Sequence, residues 1–305
     1  MAAFLKPCRH KRTVSLPFGP QPSPFTPDSL HSSPFKKMDP RRLYSALVFI
    51  PLLYLTIRYS PPWLFSLLLG TASLLALWEF LNLYFGTRHN FSSKMVSCIG
   101  AVLLLFAMHK GFSQALNPWL FSIVNVILTG FLLSPTAMKR HLSSWAAYGF
   151  GILYVAGLLG HFILLRQFDQ GIAFIFFVLL ITWLADTGGF VVGLSYGRHA
   201  LAPTLSPKKT IEGLIGGVVF SVLGAIISHF WFLPFFSWWE CAILGVGIAL
   251  VGALGDLAES AIKRSVSIKD SGTIIPGHGG VLDRVDSLLL TGPVFYYYVV
   301  LTSSA

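Results

Sequence analysis

From residue 43 onward the chain is built of long apolar stretches parted by short polar ones. Nine stand out, at about 43–57, 62–85, 95–109, 118–134, 144–165, 171–193, 211–236, 238–255 and 282–303. A helix that crosses a bilayer needs about 20 mostly apolar residues and rarely fewer than ~17, so the first, third and fourth are short candidates. No segment between them is large enough to fold as a separate soluble domain. The pattern predicts an all-α polytopic integral membrane protein with about nine transmembrane helices. Residues 1–38 have no apolar run and are rich in Pro, Ser, Lys and Arg. They are expected to be a disordered basic leader: a targeting extension, or an upstream over-read with Met38 as the start. Met38-Asp-Pro-Arg-Arg leads straight into the first apolar run, which favours the second. A secretory signal peptide is excluded by the missing apolar segment. The expected division is the leader 1–38, an N-terminal bundle 39–170 and a C-terminal region 171–305.

Composition agrees. Apolar and aromatic residues make up 54% and charged residues 11%, against about 25% charged in a soluble domain. So few charges cannot cover a soluble globule, and so apolar a chain does not stay unfolded. Mean hydropathy is +0.69. The formal charge of +10 follows the loops, not a nucleic-acid footprint. With the N-terminus in the cytoplasm, 19 of the 22 Lys and Arg fall on inside segments and three (Arg58, Lys110, Arg166) outside. The 86–94 loop contributes Arg88 and Lys94 to the inside count. Cys8, Cys98 and Cys241 are scattered and suggest neither a disulfide framework nor a metal site. Trp231, Phe232, Phe235, Phe236, Trp238 and Trp239 form an interfacial aromatic belt. Gly245, Gly247, Gly252 and Gly255 predict close helix packing. Glu79, His161 and His229 lie inside spans and read as buried packing partners, with a direct catalytic role as the alternative.

Chemistry concentrates near the C-terminus. Eight of the 12 acids lie from Asp186 onward, and seven of these flank two loops, 194–210 and 256–281, on the same inside face. The second tract holds Asp256, Glu259, Ser260, Lys263, Arg264, Lys269, Asp270, His278, Asp283, Arg284 and Asp286. Ionisable groups at a membrane edge are costly and tend to be functional. Asp283 and Asp286 share a helix face; with Asp256 they can hold a hard divalent cation through oxygen. The alternative is plain pairing with Lys263 and Arg284. Pro276-Gly277-His278-Gly279-Gly280 precedes a helix and can expose backbone N–H groups to an anion. The first tract holds Asp186, Arg198, Lys208, Lys209 and Glu212. Its two lysines can hold phosphate as point charges or serve only as positive-inside anchors. Gly193-Leu194-Ser195-Tyr196-Gly197 matches G-x-S-x-G formally, but a nucleophile elbow needs a preceding strand and here a membrane helix precedes it.

Residues 255–286 closely resemble the signature of the phosphatidate cytidylyltransferase (CDP-diacylglycerol synthase) family: Ser260, Lys263, Arg264, Lys269, Asp270 and Gly272, then Pro276, His278, Gly279 and Gly280, then Asp283, Arg284 and Asp286. Asp186-Thr187-Gly188, Ser206-Pro207, Lys209-Thr210 and Glu212-Gly213 resemble a second family stretch. Leu194 departs from it, since many members carry a basic residue there. The resemblance implies a membrane enzyme with cytoplasmic catalytic loops that condenses CTP with phosphatidic acid, using Mg²⁺ in a two-metal site. It also implies a homodimer and entry of the lipid from the bilayer. Carried over by position, Asp256 and Asp283 are the foremost metal ligands, with Asp286 beside them. Lys263, Arg264, Lys269, His278 and Arg284 are the catalytic candidates. Arg198, Lys208, Lys209, Ser260, Gly279 and Gly280 are candidates for phosphate, and Asp186, Glu212, Glu259 and Asp270 are further candidates. A compact chain of this kind fits a bacterial inner membrane, although the leader leaves an organellar one open. Other readings are a cytidylyltransferase or CTP-dependent kinase for an isoprenoid or ether lipid, a transporter, or an inactive scaffold. A transporter predicts midplane charges and an internal repeat; the acids instead sit at one edge.

Overall fold

Long apolar helices dominate the computed structural model, which describes residues 51–86, 91–111, 146–266, 268, 271–272 and 279–303. Helix α1 covers 51–59, α2 Pro62–Phe85, α3 Phe91–His109, α4 Ala146–Leu165, α5 Gly171–Tyr196, α6 Ile211–Trp231, α7 Trp238–Ser265 and α8 Leu282–Ser303. Seven of them, α2 to α8, are long and apolar enough to cross a membrane. Of the two remaining expected spans, 118–134 lies outside the described residues, and 43–57 is described only from residue 51, where it is helical.

Local chemistry sets the helix ends. Pro62 opens α2, where a missing N–H costs nothing. Thr210 caps α6 by accepting from Gly213 N at 3.1 Å. Ser237 and Glu240 form a capping box at the start of α7. Several boundaries differ from the apolar runs. α5 continues to Tyr196, α7 to Ser265, and α3 begins at Phe91. An apolar run marks where bilayer contact ends; the backbone stays helical beyond it while polar side chains find partners. Lys94, expected in a loop, is therefore in α3. It is 1% exposed and donates to Asn82 Oδ1 at 2.6 Å and Gly86 O at 2.8 Å. α6 stops at Trp231 because the amides of Phe232 and Leu233 both turn back to Ser228 O. His229 Nδ1 then lies 2.6 Å from Phe236 O, and His161 Nδ1 2.9 Å from Gly157 O, so both histidines serve packing.

An all-helical expectation misses one feature. Between α5 and α6, β1 (Ala200–Ala202) and β2 (Ser206–Thr210) form an antiparallel hairpin pairing Ala200 with Thr210 and Ala202 with Ser206. Helix α5 runs through Ser195, which is exposed, so the G-x-S-x-G tract is no elbow.

The helices meet along seams of small residues. On α5 and α6, a Cβ at Gly188 would lie 2.6 Å from Phe220, one at Gly213 2.8 Å from Gly189 O, and one at Gly216 2.4 Å from Val192. Within membranes, such close approach replaces the hydrophobic drive that lipid removes. On α7, Gly245 packs against Val222 and Ala225, and Gly255 presses on the carbonyl of Asp286 in α8, where a Cβ would sit at 2.7 Å. Gly252 stands in ordinary contact distance of Thr291 and Ser287. Gly247, expected to pack likewise, faces open space among the described residues. Large apolar side chains such as Phe190, Phe230 and Leu301 project outward, as a lipid-facing surface requires.

Gly255→Ala should force α7 and α8 apart at the level of Asp286, with a cost of about 1–3 kcal/mol. Gly247→Ala, made as control, should change neither the melting temperature nor turnover. Equal effects of the two would remove the α7–α8 approach as a constraint.

Candidate active site

The seam at Gly255 brings carboxylates together. Asp256 and Glu259 follow it on α7, and Asp286 lies opposite on α8. One oxygen from each lies within 4.8 Å of the others. Glu259 is fully buried, and its Oε1 has no hydrogen-bond partner among the described residues. Three hard oxygen donors at this separation, one of them unsatisfied, suit a divalent cation such as Mg²⁺. Asp186, on the last turns of α5, is exposed and interacts electrostatically with Asp256, Asp286 and Lys209.

Two lysines compensate the group. Lys209, on β2, pairs with Asp256. Lys263, one turn beyond Glu259, reaches Glu259 Oε2 at 2.5 Å and Asp283 Oδ1 at 2.8 Å. Asp283 also accepts from the amides of Ser271 at 3.1 Å and Gly280 at 3.0 Å. Gly279 has φ +80°, a left-handed conformation that turns Gly280 N toward Asp283. Asp283, expected at the metal, thus accepts N–H groups beside the three-carboxylate cluster, and Glu259 completes that cluster with Asp256 and Asp286. The expected anion nest is filled, as far as it is described, by the chain's own carboxylates: Gly280 N donates to Asp283 and Leu282 N to Glu79. Ser260 Oγ donates to Asp256 Oδ1 at 3.4 Å.

Hairpin β1–β2 carries Lys209 to this place. Glu212 accepts from the amides of Arg198 and His199 and contacts His199 Nδ1 at 2.5 Å, so it anchors the hairpin rather than joining the cluster. Arg264 Nε donates to Leu205 O at 3.4 Å, tying the end of α7 to the hairpin. Successive residues of a strand point to opposite sides; Lys208 is exposed while Lys209 is half-buried. Arg198, Arg264 and Arg284 are exposed near the same end of the helices. Lys269, Asp270, Pro276, Gly277 and His278 lie outside the described residues.

Sequence reasoning passed over one group and misplaced another. Tyr154, in a π-helical turn at Ile152–Gly157 of α4, is buried, and its hydroxyl has no hydrogen-bond partner among the described residues. It interacts electrostatically with Glu259, Asp286 and Asp256. Nothing in an apolar run signals a π turn, although such turns gather at functional sites. Glu79, taken for a helix-packing partner, hydrogen-bonds instead to the loop before α8.

Membrane helices that gather acids and bases at one end suit an integral membrane enzyme with a charged substrate. Comparison with known proteins narrows the class. The profile of the cytidylyltransferase family matches residues 40–302, and the chain belongs to that family. It is 34% identical over 257 residues to a phosphatidate cytidylyltransferase of Staphylococcus haemolyticus (strain JCSC1435), covering 83% of this chain and 94% of the relative. It is 33% identical over 279 residues to the phosphatidate cytidylyltransferase of Bacillus subtilis (strain 168), covering 87% of this chain and 99% of the relative.

Lys263→Met would leave Glu259 buried without its ammonium partner. Breaking such a pair typically costs roughly 3–5 kcal/mol, which thermal unfolding in detergent should register together with loss of turnover. A variant as stable and active as the parent would show that Lys263 does not hold the group together.

Proposed function

We infer that the protein transfers the cytidylyl group from CTP to phosphatidic acid, giving CDP-diacylglycerol and pyrophosphate for phospholipid synthesis. The carrying observation is the cluster of Asp256, Glu259 and Asp286, set against Lys209 and Lys263 in a chain that belongs to the cytidylyltransferase family. In the reaction a phosphate oxygen of phosphatidate attacks the α-phosphorus of CTP. A P–O bond forms as the bond to pyrophosphate breaks. A phosphomonoester has a second pKa of about 6 and is already nucleophilic at neutral pH, so no strong general base is needed. The difficulty is bringing two anions together in line, and positioned cations solve it.

Asp256, Glu259 and Asp286 would hold Mg²⁺, and Asp283 would keep Lys263 in place beside them. Bound there, the metal supplies Lewis-acid neutralisation of the developing phosphate charge. Lys209, Lys263 and Arg264 hold phosphate oxygens, with Arg198, Lys208 and Arg284 at the approach and Lys269 and His278 on the signature loop. A mostly apolar cavity of about 660 Å³ lies toward the other end of the bundle, lined by Arg58, Asp169, Trp231 and Phe232 as well as Tyr54, Phe176 and Trp183. We further propose that the N-terminus and the site face the cytoplasm of a bacterial inner membrane, where CTP is available, as the 19-to-3 distribution of Lys and Arg favours. We also propose that the protein works as a homodimer, as the family resemblance implies.

Detergent-solubilised protein given labelled CTP, phosphatidic acid and Mg²⁺ should yield a lipid-extractable cytidine product, and EDTA should abolish it. Asp283→Ala should stop turnover while the protein still inserts and folds. Folded wild-type protein that transfers nothing to phosphatidate would sink the assignment. Separately, Lys209→Ala should raise the KM for one phosphate-bearing substrate by about tenfold with a smaller change in kcat; unchanged kinetics would return Lys209 to a topological role.

A further inference from the structure

Glu79 stands in α2, 192 residues before Ser271 and 203 before Leu282. It is 2% exposed. Its Oε2 accepts from Leu282 N at 2.9 Å and from Ser271 Oγ at 3.4 Å. Leu282 is the first residue of α8, so its N–H has no acceptor within the helix. Glu79 therefore caps α8 from another helix.

Two signature glycines are shaped around the same side chain. A Cβ on Gly272 would lie 2.6 Å from Glu79 Oε1, and one on Gly280 2.5 Å from Glu79 Oε2. The described ends of the 271–280 loop are thus pressed onto a single buried carboxylate. Directly beyond this contact lie Asp283, which holds Lys263, and Asp286, which faces Asp256 and Glu259. The nearby buried cation Lys94 is committed to Asn82 and Gly86 and does not share the task.

We propose that Glu79 is a positioning residue for cytidylyl transfer. It clamps the signature loop and the start of α8 and so sets where Asp283 and Asp286 stand relative to α7. The proposal rests on the reading of the Asp256–Glu259–Asp286 cluster as the reaction site. Glu79 stands outside the Asp256–Glu259–Asp286 cluster and acts through the loop. What the loop requires of it is an acceptor, not a charge, so a glutamine carbonyl should replace it.

The test compares full-length wild type, Glu79→Ala, Glu79→Gln and Lys94→Met in detergent or nanodiscs at matched folded fraction. Lys94→Met removes a buried polar anchor of the same α2–α3 pair without touching the loop. Glu79→Ala should lower kcat by about 30–100-fold, the scale of a small misplacement of reacting groups. The KM values for CTP and phosphatidic acid should stay within about threefold, and Glu79→Gln should recover at least about a third of the wild-type kcat. Lys94→Met should lower the melting temperature but keep kcat within about threefold. Hydrogen exchange at Ser271 and Leu282 should quicken in Glu79→Ala alone. A Glu79→Ala kcat no lower than that of Lys94→Met would overturn the proposal. So would a Glu79→Gln variant as slow as the alanine variant with its exchange unchanged, since that would make the charge itself catalytic. If the wild type transfers nothing to phosphatidate, the functional reading fails, and the exchange arm still decides whether Glu79 holds the loop.

Discussion

Carboxylates within a few ångströms of one another, at the end of a helix bundle with little water, repel strongly unless cations stand among them. That electrostatic constraint governs the rest of the molecule. Asp256, Glu259 and Asp286 come together because Gly255 has no side chain and lets α7 rest on the backbone of α8. Lys209 and Lys263 make the arrangement tolerable, one from a strand and one from the same helix. Lys263 also links the cluster to Asp283, so charge balance extends from α7 to the loop before α8.

Each compensating group is delivered by structure built for the purpose. Hairpin β1–β2 is short and would not persist alone. Glu212 fastens it at its base and Arg264 near its tip, and Thr210 starts α6 directly after it. On the other side Glu79 fixes the entry to α8. Helix α2 therefore does more than anchor the chain: it reaches the segment that carries Asp283 and Asp286. Asp256, Glu259 and Asp286 would hold a divalent cation, which would supply charge neutralisation, and Lys209 and Lys263 stand directly beside them. Positive side chains placed in this way suit a reaction in which two anions must meet.

The remainder of the fold answers to the lipid. Glycine seams bring α5, α6 and α7 close because packing, not water exclusion, binds helices in a bilayer. Large apolar side chains face outward, where a soluble protein would carry charge. Polar groups inside the bundle satisfy themselves locally, as Lys94 does with Asn82 and Gly86, since water cannot.

Sequence alone determined the class of the protein and the places of most spans, and it marked the tract in which Asp256, Glu259 and Asp286 lie. Bilayer thickness dictates run length, and phosphate chemistry dictates acids, bases and glycines at set spacings; both are local in the chain. The ends of α5 and α7 were not legible, because a helix outlasts its apolar run when its polar residues find partners. Nor was the hairpin, whose Ser206–Thr210 strand exists only against Ala200–Ala202 and Glu212. Only the tertiary structure decided that Glu259 joins Asp256 and Asp286 while Asp283 turns to Lys263 and backbone amides, and that Glu79 belongs with the signature loop. Such choices depend on how two helix backbones approach at Gly255 and on which N–H groups a carboxylate meets across some 200 residues, and spacing along one segment carries no record of either.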